Sequence, residues 1–347
     1  MNVMNIYPPH KLGYENTTGT RQSNIELLRI VAMVMILILH TRYDGILSVY
    51  DGVIDASHIC RFFFEAASIV GVNLFVFISG FFGIRLRKVS VANLLFKVYW
   101  FAVIGFIAEC IIAGSIHMGS QQYMKLFFAV SHNVWFVPCY FILMLLSPML
   151  NAFVERKPAR LLAVYTLGLY LIAYLWNIIF QCIQGFDGYG WGYFIVLYLT
   201  GAVIRKWVAE HKVNKSLCLT GYVMCTLSIV GVALLQNYVP VGQSLLWAYN
   251  SPLVLCSSVC LFLFFTSLHI NPSHIINKLA ASSFAVLLFH MSSFAGYFKV
   301  CKYVYTRYDD FMVIIVTALV VLGYYLAAFL LDQPGKLMFS RIKAKLV

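Results

Sequence analysis

Ile25-Glu-Leu-Leu-Arg-Ile-Val-Ala-Met-Val-Met-Ile-Leu-Ile-Leu-His-Thr41 is a long apolar run interrupted by Glu26, Arg29 and His40. No Gly or Pro breaks it, and its length suits a lipid-spanning helix. In a helix, eleven steps of 100° bring Arg29 and His40 to within about 20° of one stripe, roughly 16 Å apart along the axis. Glu26 stands one turn before Arg29 on a neighbouring line. Such groups are costly to desolvate in lipid, so they face a protein interior or a wet cavity. The run therefore predicts a spanning helix whose polar stripe reaches from the inner membrane surface deep into the bilayer.

The rest of the composition agrees. The chain is 61% hydrophobic and 11% charged, with a mean hydropathy of +0.83. Soluble domains carry about 25% charged residues, so this is an integral membrane protein. The net charge of +12 does not mark a nucleic-acid binder, because Lys and Arg cluster in short segments between apolar runs. The first twenty residues are polar, and no cleavable signal peptide is expected. The nine cysteines show no metal-ligand spacing, and no metal site is expected. Cys60 and Cys301 both fall near the outer surface, yet a disulfide between them is not the favoured reading.

Apolar runs recur near 25–41, 60–84, 92–116, 134–153, 160–180, 189–208, 216–235, 245–268, 279–298 and 311–331. They predict an all-α polytopic membrane protein of about ten transmembrane helices. Placing the amino terminus in the cytoplasm puts eighteen Lys and Arg inside and six outside, with Arg29 in the membrane. By the positive-inside rule both termini are cytoplasmic. The expected organisation is a cytoplasmic segment 1–24, one membrane domain 25–331, and a short basic tail 332–347. No internal repeat or soluble domain is evident.

The second run closes with Gly71-Val-Asn-Leu-Phe-Val-Phe-Ile-Ser-Gly-Phe-Phe-Gly-Ile-Arg-Leu-Arg-Lys88. Small residues here admit close helix contacts or a thin ligand. Arg85, Arg87 and Lys88 are read either as a stop-transfer anchor or as a clamp for phosphate oxygens.

These motifs resemble those of the acyltransferase 3 family of bacterial membrane proteins. Arg29 and His40, with ten residues between them, look like its first-helix signature. Gly71-Val-Asn-Leu-Phe75 with Ser79-Gly-Phe81 is similar to its Gly-Val-Asp-Leu-Phe … Ser-Gly-Phe stretch, and Arg85 with Lys88 approximates its paired-basic motif. Trp135-Phe136 … Tyr140 … Leu146-Ser-Pro-Met-Leu-Asn151 resembles the central segment. Ser283-Phe284 … Leu288-Phe-His290 resembles the late helix. Asn73 departs from the family acid, and Lys88 stands where an arginine is usual.

The resemblance implies an O-acyltransferase of the cell (inner) membrane. It would move an acetyl group from cytosolic acetyl-CoA, a co-substrate rather than a bound cofactor, onto a hydroxyl of a cell-surface polysaccharide or lipid-linked glycan. The expected partners are acetyl-CoA, that glycan and membrane lipids, with no nucleic acid. His40 is expected as general base, and Arg29 as the group that holds the CoA moiety or polarises the thioester. Arg85 and Lys88 would grip the CoA phosphates, and Ser79 would border the pantetheine arm. Trp135, His132 and Glu65 are candidates for the acceptor, although a tryptophan there is also an ordinary interface anchor. Glu26 is expected to orient Arg29, His290 to bond between helices, and Asp332 to pair with a local base. Transfer would be completed within this domain or with another protein.

Two other classes compete. A secondary transporter would use the same intramembrane charges, but matched repeats and broken helices are not found. An intramembrane serine hydrolase would need a nucleophile elbow and a well-placed acid, and neither is present.

Overall fold

The computed structural model describes residues 22–41, 56–114, 126, 134–180, 188–235, 248–292, 294–308 and 310–344. Among these, helix is the only regular secondary structure. Eight helical segments are long and apolar enough to cross a bilayer, and two shorter apolar helices, Ala159–Leu175 and Pro252–Thr266, bring the apolar segments to ten. The chain is an all-α polytopic membrane protein.

The helices are α1 (Ser23–His40), α2 (Ala56–Ser68), α3 (Gly71–Phe82), α4 (Lys88–Ala113), α5 (Phe136–Arg156), α6 (Ala159–Phe180) and α7 (Trp191–Glu210). After them come α8 (Lys215–Leu235), α9 (Pro252–Thr266), α10 (His274–Ala280), α11 (Ser283–Ser292), α12 (Phe294–Arg307) and α13 (Asp310–Lys343). Two expected spans each contain more than one helix, though Phe62–Phe82 and His274–Ser292 are each long and apolar enough to cross as a unit. The run 60–84 bends at Ile69–Val70, where α3 begins against α1. A Cβ on Gly71 would lie 2.8 Å from the Ala32 carbonyl oxygen, so only glycine admits this approach. The run 279–298 is divided among α10, α11 and α12. Conversely, α13 spans 34 residues, about 51 Å at helical rise, so residues expected in the tail prolong the last helix.

α3 is the axle of the bundle, buried along nearly its whole length. α7 lies directly against it. A Cβ on Gly80 would fall 1.9 Å from the Tyr198 carbonyl oxygen, and one on Gly201 2.2 Å from that of Phe77. Backbones meeting this closely replace the hydrophobic drive that lipid does not supply. Asn73, at the place of the family acid, is a buried fastener. Its Nδ2 donates to the Tyr249 carbonyl at 3.0 Å and to Ser258 Oγ at 3.2 Å. The outward faces of α6, α8 and α13 expose Ile172, Leu217 and Leu330, apolar surface suited to acyl chains.

One end of the bundle gathers the start of α1, the end of α3, the start of α4 and the end of α13; it is called the basic end below. There Asp332, 1% exposed, lies 2.9 Å from Lys336 and 3.5 Å from Lys97 on α4. This is the local pairing expected of it. Cys60 and Cys301 are both unbridged thiols.

Candidate active site

The site is built outward from the turn that ends α3. Gly83 has φ +76°, a left-handed conformation that costs glycine little and other residues more. The next residue, Ile84, is gripped at both backbone polar groups. Its N–H donates to Tyr198 Oη at 2.9 Å, and its carbonyl accepts from Asn151 Nδ2 at 2.8 Å. Tyr198 in turn donates to Asn151 Oδ1 at 2.6 Å, closing the ring.

From this anchor the chain runs without regular structure to Arg87, itself extended (φ −133°, ψ 147°), where α4 begins. Gly83, Ile84, Arg85 and Arg87 line one cavity, while Leu86 does not. The expected pair was Arg85 with Lys88. Lys88 opens α4, is exposed and stays outside the lining. Arg87 takes its place.

The cavity has a volume of about 540 Å³, within the usual range for small-molecule sites. Ser90, Asn93 and Lys97 of α4 form one wall. Arg29, Arg85, Arg87 and Lys97 supply four cations, with no carboxylate among the described lining residues. Arg29 Nη1 is 3.1 Å from Glu26 Oε2, the orienting pair expected from the sequence. Glu26 is itself buried, so the pair stands apart from bulk solvent. Ser79 also lines the cavity. Its hydroxyl donates to the Phe75 carbonyl at 3.3 Å and lies 3.3 Å from Tyr140 Oη, which therefore donates to it.

The far wall is aromatic. Phe75 meets Phe136 edge-on at 6.3 Å, Phe136 stacks on Tyr140 at 5.6 Å, and Tyr140 faces Phe284 at 6.5 Å. This cavity holds the Arg29 guanidinium, and the His40 imidazole lies outside its lining. Phe284 of this aromatic wall sits six residues before His290 on α11, about 9 Å along the axis.

At the opposite end of α1 from the basic end, His40 meets His290. His290 Nε2 lies 3.2 Å from His40 Nδ1, with ring centroids 4.9 Å apart. Nδ1 of His40 also lies 2.9 Å from the Ile36 carbonyl oxygen. The helix-to-helix bond expected of His290 is thus made, and its partner is the candidate base. Glu65 is buried on α2, outside the lining residues of the cavity. Trp135 is half-buried and stacks on Tyr249 at 6.0 Å, with Tyr189 edge-on at 5.0 Å. It is packed as a wall residue and does not line the cavity. His132 lies outside the described residues.

Sequence reasoning placed Arg87 in the basic cluster but gave no role to Lys97, Tyr140, Asn151 or Tyr198. The usable signal was the i, i+2 spacing of Arg85 and Arg87 after a glycine that ends a helix.

A helical bundle with eight segments apolar enough to cross a bilayer among the described residues, and a polycationic cavity at one end, defines an integral membrane protein. The family model described as an acyltransferase domain, that of acyltransferase 3, matches residues 22–332, and the chain belongs to that family. It is a membrane acyltransferase. Comparison with the curated proteins and with the solved structures gives no match.

Proposed function

We propose that this enzyme transfers acetyl from acetyl-CoA to a hydroxyl of a cell-surface polysaccharide or lipid-linked glycan, in the cell membrane, with both termini cytosolic. The observation that carries this reading is the cavity of four cations at the basic end. Coenzyme A presents a diphosphate and a further phosphate on a thin apolar arm. Arginine forks suit phosphate oxygens. Arg85 and Arg87 take the phosphates, with Lys88 adding attraction from the exposed rim and Lys97 from the wall. Ser79 and Tyr140 border the arm where the cavity narrows.

Groups roughly 16 Å apart on one helix do not both touch one thioester carbonyl. Of the two roles open to Arg29, holding the donor therefore fits better than polarising the reacting carbonyl. His40 accepts the proton of the sugar hydroxyl as its oxygen attacks the thioester carbon. The C–S bond then breaks, and the leaving thiolate recovers that proton. The acceptor enters from the His40 end, where Trp135 and Glu65 are the candidates to meet it.

The test is acetylation of envelope glycans, by mass spectrometry and NMR, in cells making the natural protein or His40→Ala at matched membrane levels. Loss of the acetyl groups is expected. Unchanged acetylation in His40→Ala overturns the mechanism.

A further inference from the structure

The contact between His40 and His290 joins two helices 250 residues apart in sequence, and its protons can be assigned from acceptors alone. His290 Nδ1 lies 2.9 Å from the Val286 carbonyl oxygen. A carbonyl only accepts, so this nitrogen carries hydrogen. The same logic at Ile36, 2.9 Å from His40 Nδ1, puts a hydrogen on His40 Nδ1. His290 Nε2, facing that N–H at 3.2 Å, must then present its lone pair. His290 is consequently neutral, and His40, when neutral, has its lone pair on Nε2.

The surroundings hold both rings in place. His290 is 0% exposed, and Tyr297 packs edge-on to it at 5.9 Å. Tyr297 also donates to the Leu37 carbonyl at 2.8 Å, so the last turn of α1 is gripped beside the histidine pair. On the other side a Cβ on Gly105 would lie 2.8 Å from Ser292 Cβ, which brings α4 hard against the end of α11.

We propose that His290 is a positioning residue for the acyl-transfer base: with the Ile36 carbonyl it fixes His40 as the Nδ1–H tautomer, leaving Nε2 to take the acceptor's proton. The inference rests on the reading of His40 as that base. When Nε2 gains the hydroxyl proton, the ring becomes imidazolium and its Nδ1–H bond to His290 Nε2 becomes charge-assisted and stronger. Support thus grows as the transition state is approached, as it does for an orienting group behind a catalytic histidine. The proton does not pass on, because the far side of His290 is already committed to Val286.

Two variants separate positioning from packing. His290→Leu keeps the bulk and removes the acceptor; His290→Gln restores an amide oxygen able to reach His40 Nδ1. In acetyl-transfer assays with the full chain in nanodiscs, His290→Leu is expected to lower kcat at least about tenfold with the donor KM unchanged. His290→Gln should recover most of that loss. Equal losses in both variants, or a natural kcat in His290→Leu, overturns the proposal. An independent measurement is 15N NMR of the histidine-labelled natural protein in bilayers, with His40 assigned by comparison with His40→Gln. An Nδ1–H tautomer is expected; an Nε2–H tautomer overturns the positioning role whatever the transfer assay shows. The expected tautomer in a natural protein that transfers no acetyl group would instead count against the acetyltransferase reading.

Discussion

Tyr198 Oη and Asn151 Oδ1 lie 2.6 Å apart, and between them the two residues hold both backbone polar groups of Ile84. This ring fixes the chain at Ile84, directly before Arg85 and Arg87, which line the cavity. Asn151→Leu removes the donor to the Ile84 carbonyl and the acceptor of Tyr198. Each unmet polar group costs about 1–3 kcal/mol. The expected result is a donor KM raised about tenfold with kcat little changed, read from steady-state acyl transfer against donor concentration. A drop in kcat at constant KM would mean that the segment does not serve the donor.

Glu26 and Arg29 form an ion pair whose side chains are 8% and 25% exposed. Arg29→Ala strands the Glu26 carboxylate; the expected cost is at or below the low end of the about 3–5 kcal/mol for breaking a buried pair, because Arg29 is 25% exposed. The double variant Glu26→Gln with Arg29→Gln removes both charges together. It is expected to regain most of the thermal stability lost in Arg29→Ala, yet to remain defective in transfer. Differential scanning of the detergent-solubilised proteins, beside the transfer assay, measures both. Recovery of transfer in the double variant would reduce Arg29 to a structural role.

What the sequence made legible follows from where the information sits. Periodicity is local, so the first helix, the ten apolar segments and the i, i+3 pair of Glu26 with Arg29 could be read directly. The Ile84 clamp could not, because it acts on backbone groups that every residue carries. Lys88 was paired with Arg85 by its likeness to the family's paired-basic motif, whereas the cavity is lined by Arg85 and Arg87, a placement that the motif alone does not encode. His290 was assigned a bond between helices without its partner, since the partner lies in another helix and nothing local encodes that. The shared stripe of Arg29 and His40 suggested one channel, whereas of the two only Arg29 lines the cavity; its aromatic wall at Phe75, Phe136, Tyr140 and Phe284 comes from three other helices.

Gly80 and Gly201 set the spacing of α3 and α7. An added methyl at Gly80 would meet the Tyr198 backbone at 1.9 Å, and backbone has no rotamer with which to yield. Gly80→Ala is expected to lower the amount of folded protein in the membrane and its melting temperature. It should also raise the donor KM in whatever protein folds, because Tyr198 carries half of the clamp. Gly168→Ala and Gly231→Ala are the matched controls: nothing lies within 4 Å of either added Cβ. Both should melt at or slightly above the natural temperature, given the roughly 1 kcal/mol helix preference of Ala over Gly. A fluorescence-detected thermal shift series on the three variants decides this.

Asp332 balances two cations on different elements, Lys97 beside the cavity and Lys336 one turn further along its own helix. Lys336 in addition donates to Ser282 Oγ at 2.6 Å, tying α13 to the turn between α10 and α11. Asp332→Asn leaves both lysines without a countercharge. The expected cost is roughly 3 kcal/mol, at the low end for a broken buried pair because Lys336 is about one-third exposed. The freed Lys97 should also hold a phosphate more strongly, since it no longer shares its charge with the carboxylate. Asp332→Asn is therefore expected to melt earlier and yet to show a donor KM no higher than the natural protein. Combining it with Lys97→Met should restore part of the stability and raise the donor KM severalfold. Thermal unfolding and donor titration on the same preparations measure the two effects; a KM that simply follows stability through the series would remove Lys97 from the donor site.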